Sequence, residues 1–101
     1  MLIVMGEVVV EEGAVEKVRN ALQDMEQATR KEPGCLSYAF SLDINDPTTV
    51  RISERWASMD ALQEHFHSPH MAAFGAAVAD LQPKSMDIKC YEVTGKVPLP
   101  G

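Results

Sequence analysis

Residues 35–56 read C-L-S-Y-A-F-S-L-D-I-N-D-P-T-T-V-R-I-S-E-R-W and decide the fold. Small and large residues alternate over residues 35–43, which is typical of a strand. The small side chains, Cys35 among them, are predicted on one face. The large side chains are predicted on the other face: Leu36, Tyr38, Phe40 and Leu42. Asn45-Asp46-Pro47 is a turn sequence and residues 48–57 alternate again, so we predict a β-hairpin.

The flanking segments predict the remaining elements. Residues 2–10 are rich in β-branched residues and predict a first strand. Residues 14–30 carry apolar residues at spacings of three and four before Pro33-Gly34, which predicts one helix. Ser58 and Ser68-Pro69 are typical starts of two shorter helices, and residues 86–91 alternate as a last strand. This order predicts an α+β, ferredoxin-like split β-α-β fold, with helices on one face of a four-stranded antiparallel sheet.

The first strand is apolar on both of its sides. Ile3, Met5 and Val9 point one way, whereas the opposite face carries Leu2, Val4, Val8 and Val10. Helices cover only one face of such a sheet, so the other face needs an apolar partner. We therefore expect a homodimer through the sheet face. The alternative is that these residues are single apolar side chains on an ordinary surface.

Length and composition exclude several classes of protein. The chain has 101 residues and a net charge of −6, which predicts one domain over residues 1–97, with an irregular tail at 98–101. An acidic chain has no excess positive charge for nucleic acid or anionic lipid. No apolar run approaches the ~20 residues that span a bilayer. Two distant cysteines, Cys35 and Cys90, suit reduced thiols, so we expect a bacterial-style cytoplasmic protein without nucleic-acid or membrane partners.

Residues 54–70 hold the single Trp and all three His, and are the richest in chemistry. Glu54 and Trp56 share one strand face, so Glu54 is either an acid or base among apolar neighbours or a carboxylate bonded to backbone or to an Arg. His65 is either a base directed at a cavity or a hydrogen-bonded core histidine. His67 is predicted at the surface. His70 has a backbone carbonyl or the Tyr38 phenol as its candidate partners.

The three histidines do not have the spacing of a metal site. His65 and His67 diverge by about 200° on a helix, and Ser68-Pro69 interrupts the path to His70. We therefore expect no metal. The commonest hydrolase, phosphate-loop and redox-thiol motifs are also missing from the sequence.

Four motifs in order resemble one known family. They are E-P-G-C-L-x-Y at 32–38, D-x-N-D-P at 43–47, E-x-W at 54–56 and A-L-x-x-H-x-x-S-P-H at 61–70, with Phe74 following. The sequence is similar in these motifs to the antibiotic biosynthesis monooxygenases. The resemblance covers almost the whole chain and implies a dimer of ferredoxin-like subunits whose sheets form a shared α/β-barrel.

Similar family members are small quinol and polyketide monooxygenases that use O₂ without metal, flavin or haem. The resemblance thus implies a cofactor-independent enzyme that oxidises a phenolic or hydroquinone-type aromatic substrate to a quinone. His65, Glu54 and Tyr38 are the implied catalytic residues, with His65 as the best base. The implied substrate-binding residues are Trp56, Phe74, His70, Phe66 and Phe40.

Two other functions remain open. An isomerase that processes a phosphorylated autoinducer also carries a His at the position of His65, followed by a similar S-P-H sequence. That isomerase needs a further His in the first helix, where this chain reads Met25-Glu26-Gln27. A non-catalytic protein that binds small aromatic molecules, for example in a stress response, is the other alternative.

Overall fold

Four antiparallel strands and four helices make up the computed structural model, which describes all of residues 1–101. The strands lie in one sheet in the order β2-β3-β1-β4. The helices cover one face of this sheet, which confirms the predicted ferredoxin-like α+β fold. No helix has the length and apolar character that crossing a membrane requires. The elements are β1 Leu2–Val9, α1 Ala14–Lys17, α2 Arg19–Thr29, β2 Cys35–Leu42, β3 Thr49–Trp56, α3 Met59–Phe66, α4 Pro69–Ala77 and β4 Ser85–Glu92.

The segment predicted as one helix over residues 14–30 is two helices. Val18 interrupts it with non-helical dihedral angles, φ −116° and ψ 13°. Its N–H donates to the Val15 carbonyl at 3.1 Å, an i to i−3 bond typical of a tightened helix end. The apolar residues on both sides of Val18 still face the same cavity. The predicted face was therefore right and the predicted continuity wrong, because apolar spacing is insensitive to a single non-helical residue.

The strand registers align the inner face of the sheet in rows. Tyr38, Glu54 and Val4 pair across the three strands β2, β3 and β1. The next row joins Phe40, Ile52, Gly6 and Ile88. Helices α2 and α3 close over the first of these rows, where the buried core contains Leu2, Val4, Met25, Tyr38, Trp56 and Leu62. The buried carboxyl of Glu54 thus lies in the first row, whereas the next row along the strands is entirely apolar.

The start of β2 departs from the predicted alternation. The register shifts between Cys35 and Ser37, as in a β-bulge. Cys35 consequently pairs with Trp56 and packs against the core, whereas Leu36 is about half exposed. The prediction that Leu36 shares the face of Tyr38 while Cys35 lies opposite is wrong, because a bulge inserts one residue and reverses the alternation before it.

The two predicted serine caps position the helices around the site. Ser58 accepts a hydrogen bond from the Ala61 N–H at the start of α3, and Ser68 accepts one from the Met71 N–H at the start of α4. The Ser68 hydroxyl also donates to the His65 carbonyl at 2.7 Å. Ser68 therefore joins the end of α3 to the start of α4 and sets the angle between them.

Side chains of α2 and the following residue satisfy the free edge of β2. The Glu26 carboxylate accepts a hydrogen bond from the Phe40 N–H at 2.7 Å, and Arg30 Nε donates to the Tyr38 carbonyl at 2.9 Å. Backbone groups of an edge strand that are paired in this way are unavailable for pairing with another chain. These two bonds also hold Tyr38 and Phe40 under the helices.

Candidate functional site

A cavity of about 300 Å³ lies between the helices and the inner face of the sheet. Its lining is almost entirely apolar and includes Phe40, Phe66 and Phe74. Glu54 provides the one carboxyl of the lining and His65 the one imidazole. A cavity of this composition suits an apolar or aromatic molecule that presents one polar group.

His65 and His70 meet at a single carboxylate. The Glu32 Oε2 atom lies 2.7 Å from His65 Nδ1 and 2.9 Å from His70 Nε2. An ionised carboxylate only accepts hydrogen bonds, so these two ring nitrogens carry the protons. His65 is 1% exposed, and Nε2 is the nitrogen of its ring that makes no hydrogen bond within the chain. The arrangement orients the His65 ring and leaves Nε2 without a partner in the chain.

The position of His70 corrects the prediction made from its spacing. We predicted that the helix break at Ser68-Pro69 keeps His70 apart from His65. The break instead brings the two rings together, with centroids 6.0 Å apart. The partner of His70 is the Glu32 carboxylate, not a backbone carbonyl or the Tyr38 phenol. His67, in contrast, is exposed and bonds to the Gln63 carbonyl, as its predicted surface position implies.

Glu54 and Trp56 form a second buried polar pair. The Trp56 indole N–H donates to Glu54 Oε1 at 2.8 Å. Burial raises the pKa of the Glu54 carboxyl, and the hydrogen bond from Trp56 partly opposes this shift. Glu54 is thus a bonded carboxylate, but its partner is the indole and not the predicted backbone group or Arg. Its role as an acid or base stays a prediction.

Tyr38 and Trp56 flank the imidazole of His65. The ring centroids of Tyr38 and Trp56 lie 5.4 Å and 4.9 Å from that of His65. Burial, with a further contribution from Glu54, raises the pKa of Tyr38 well above its usual range, so its phenol stays neutral. Tyr38 lines the cavity, whereas Trp56 is fully buried and lies outside the lining. Trp56 therefore supports His65 and Glu54 from behind.

The predicted aromatic residues occupy different parts of the cavity wall. Phe40 and Phe74 stack with centroids 5.8 Å apart, one from the sheet and one from α4. Phe66 lines the cavity but keeps much of its surface exposed. His70 lies outside the lining and reaches the site through Glu32.

Glu32 is the site residue that the sequence did not single out. It precedes the Pro33-Gly34 turn, and the Gly34 carbonyl accepts a hydrogen bond from the Ala57 N–H at 2.8 Å. Gly34 has φ +83°, and a Cβ built on it would lie 2.6 Å from the Ala61 Cβ. This close approach of the turn to α3 places Glu32 beside His65. Within the sequence, the only signal was its first position in the motif E-P-G-C-L-x-Y.

The described fold and site agree with one protein family. The family model of the antibiotic biosynthesis monooxygenases matches residues 1–77. The chain belongs to this family. The polar and aromatic residues of the candidate site all lie within residues 1–77, whereas the apolar lining of the cavity continues to Ile88.

Solved structures share this fold over nearly the whole chain. A protein of Deinococcus radiodurans named as an antibiotic biosynthesis monooxygenase is 29% identical, with a TM-score of 0.88 and full coverage of both chains. Rv0793 of Mycobacterium tuberculosis is 26% identical, with a TM-score of 0.82, over 96% of this chain and 98% of the other.

A curated relative is longer than this chain. The Synechocystis protein sll1783 is 30% identical over 92 residues, which are 91% of this chain. The match spans 63% of the length of that cyanobacterial protein.

Proposed function

We propose that the protein is a cofactor-independent monooxygenase that oxidises a phenolic or hydroquinone-type aromatic substrate with O₂ to a quinone. Family membership supports the class of reaction. The observation that carries the proposal is His65, which is oriented by Glu32 on the wall of an almost entirely apolar cavity. Deprotonation of a phenol requires one oriented base in a water-poor site, which this arrangement supplies.

In the first proposed step, His65 removes the phenolic proton. The lone pair for this transfer is on Nε2, because Nδ1–H is held by Glu32. The products are a phenolate and an imidazolium, and the Glu32 carboxylate stabilises the imidazolium. A base whose ring is oriented by a third group is a general arrangement in such catalysis.

In the second step the electron-rich phenolate reduces O₂ directly. One oxygen atom adds to the ring and becomes the new quinone carbonyl. The other oxygen leaves as water, with the phenolic proton and the hydrogen displaced from the ring. The substrate supplies all the electrons, so the balance needs no further reductant. Phe40 and Phe74 form the wall that keeps water from the reactive intermediate.

The remaining site residues either bind the substrate anion or hold other groups of the site in place in this proposal. The neutral Tyr38 phenol donates a hydrogen bond to the substrate anion, a role that its raised pKa preserves. Glu54 holds the indole of Trp56 against the imidazole of His65. His70 shares the carboxylate of Glu32 and fixes its orientation, and Phe66 closes the wall of the cavity.

The protein acts as a homodimer in this proposal, with the outer face of the sheet as the contact. Met5 of β1 and Tyr91 of β4 lie on this face and are 59% and 49% exposed. Ile3 pairs with Tyr91 across the two strands, and Met5 lies one position further along the same face of β1, beside Lys89. A second copy of the same surface is its simplest complement.

Oxygen uptake over a panel of hydroquinones and polycyclic phenols tests the reaction. The protein is first treated with a chelator, and His65→Ala is compared with His67→Ala, a surface histidine outside the site. We expect uptake that is at least tenfold lower in His65→Ala, which corresponds to about 1.4 kcal/mol of barrier, and unchanged in His67→Ala.

Because His65 is buried, near-ultraviolet circular dichroism must show that His65→Ala keeps its tertiary packing. Glu32→Gln is the second variant, since it removes the carboxylate and leaves the imidazole in place. Equal uptake by the wild type and both variants contradicts the role of the base. Binding of phenols without any uptake contradicts the monooxygenase and favours a binding protein.

A further inference from the structure

The Glu32, His65 and His70 side chains form a cluster with a second capacity besides orienting a base. Their ligand atoms, a carboxylate oxygen and two imidazole nitrogens, all lie within 4.8 Å of one another. We propose that this Glu-His-His cluster binds a divalent cation of the Zn²⁺ type. The proposal goes beyond the monooxygenase reaction and does not depend on it.

The donor set matches the chemistry of that cation. Imidazole nitrogens and a carboxylate oxygen are ligands of Zn²⁺, and sites with three protein ligands leave one position for water or another molecule. Two neutral imidazoles and one carboxylate leave a bound divalent cation with only one net positive charge. Partial burial of the cluster strengthens the attraction between the cation and Glu32 compared with an exposed site.

The three ligand atoms must move before they can bind one cation. Metal–ligand bonds of about 2.1 Å in tetrahedral geometry place neighbouring ligand atoms about 3.3 Å apart. The two N···O distances here are 2.7 Å and 2.9 Å and must lengthen by roughly half an ångström. The two ring nitrogens, which are up to 4.8 Å apart, must approach each other at the same time. The His70 side chain is 23% exposed, against 2% for His65, so His70 has the freedom to move. The same exposure gives the ion its entry path.

Proton positions change when the cation binds. Each imidazole binds through the nitrogen that donates to Glu32 in the metal-free cluster, so its ring proton moves to the other nitrogen. For His65 the proton moves from Nδ1 to Nε2. If the proposed function is correct, the cation therefore removes the lone pair that serves as base, and Zn²⁺ and turnover exclude each other.

The chain contains its own reporter for this site. Trp56 is its single tryptophan, and its ring centroid lies 4.9 Å from that of His65. We would titrate tag-free, chelator-treated protein with Co²⁺ and record the fluorescence of Trp56 and the visible absorption of Co²⁺. Calorimetry with Zn²⁺ measures the stoichiometry and the affinity.

We expect one cation per chain in the wild type and in His67→Ala, the matched control. His70→Ala and Glu32→Gln should bind at least tenfold more weakly. His70→Ala changes a partly exposed residue, and near-ultraviolet circular dichroism shows whether it keeps its fold. Absence of one-to-one binding by the wild type overturns the proposal, as does an equal loss of affinity in His67→Ala.

Oxygen uptake separates this proposal from the proposed function. Uptake is measured in chelator-treated protein, so it does not depend on whether the cation binds. Zinc binding without uptake supports the cation site and contradicts the monooxygenase. Uptake without zinc binding does the opposite.

Discussion

The two faces of the sheet differ although they are built from alternate residues of the same strands. On β1, Val4 is 7% exposed and its neighbour Met5 is 59% exposed. The inner face lies under the helices and carries Glu54 and Trp56, whereas the outer face of the same strand β3 carries Arg51 and Arg55. Reactive polar groups therefore occur where helices exclude water, and the outer face is free for association.

Ion pairs on the outer face contribute little to stability. Arg51 lies 2.6 Å from Asp43 and 3.3 Å from Glu7, and all three groups are in contact with solvent. Exposed pairs of this kind are worth about 0–1 kcal/mol each. The stability of the domain should thus depend on the inner face, and substitutions on the two faces should differ strongly.

The largest expected effect is that of Trp56→Ala on the inner face. Removal of a fully buried Trp costs about 3–5 kcal/mol of the free energy of unfolding. The buried Glu54 carboxyl also loses the indole N–H that it accepts from. Urea denaturation followed by far-ultraviolet circular dichroism measures the loss.

Arg55→Ala is the control for Trp56→Ala, since it changes the adjacent residue of β3 on the outer face. Arg55 is exposed and donates to the Ser37 hydroxyl at 2.9 Å. We expect a change within about 0.5 kcal/mol. Similar losses of unfolding free energy in the two variants would contradict the conclusion that stability depends mainly on the inner face.

A second comparison concerns two glycines with the same backbone conformation. Gly34 and Gly13 both have φ +83°, where an alanine costs about 1–2 kcal/mol. At Gly34 the new Cβ also meets Ala61 at 2.6 Å, while at Gly13 nothing lies within 4 Å. Gly34→Ala should therefore be more destabilising than Gly13→Ala by about 1–3 kcal/mol, because the turn must move away from α3.

The same displacement should act on the inner-face site. Glu32 precedes the Gly34 turn, so its carboxylate should move away from His65 in Gly34→Ala. We expect the histidine ring signals of His65 and His70 in an NMR spectrum to shift in Gly34→Ala and to stay in place in Gly13→Ala. Equal stability of the two variants would show that the contact with Ala61 does not constrain the turn.

The smallest effect on stability is expected for Met5→Lys on the outer face. Its side chain is mostly exposed within one chain, so the fold should lose less than about 0.5 kcal/mol. A lysine at this position of the proposed contact should nevertheless separate two copies, because each would bury an additional unpaired charge. Sedimentation should give the mass of a dimer for the wild type and of a monomer for Met5→Lys. A monomeric wild type would exclude the proposed contact.

The secondary structure was predictable because its signals are local. Alternation and spacing of apolar residues depend only on neighbours in the chain, so the strands, the helix faces and the serine caps are visible in the sequence. The break at Val18 and the bulge at Cys35 were not predicted. Each irregularity changes the backbone at one residue. The periodic pattern of apolar residues over ten or more positions stays nearly the same with or without such a change.

Sequence reasoning also reached part of the site. His65 and Glu54 were singled out from their residue types and positions and Tyr38 from the family resemblance, and the structure brings all three to one cavity. The partner of Glu54 was not predicted, because the indole of Trp56 competes with backbone and Arg partners that the sequence equally allows. Rotamers and packing decide such a choice.

By itself the sequence determined the order of the elements and which residues face the core, since these follow from periodicity. Tertiary structure alone decided that Glu32 joins His65 and His70, which follow it by 33 and 38 residues in the chain. The join requires the Gly34 turn to approach Ala61 and Ser68 to hold α4 against α3. The Glu32 carboxylate contacts both rings only because the packing of separate elements brings them to it. Local sequence patterns do not specify the distances between residues so far apart in the chain.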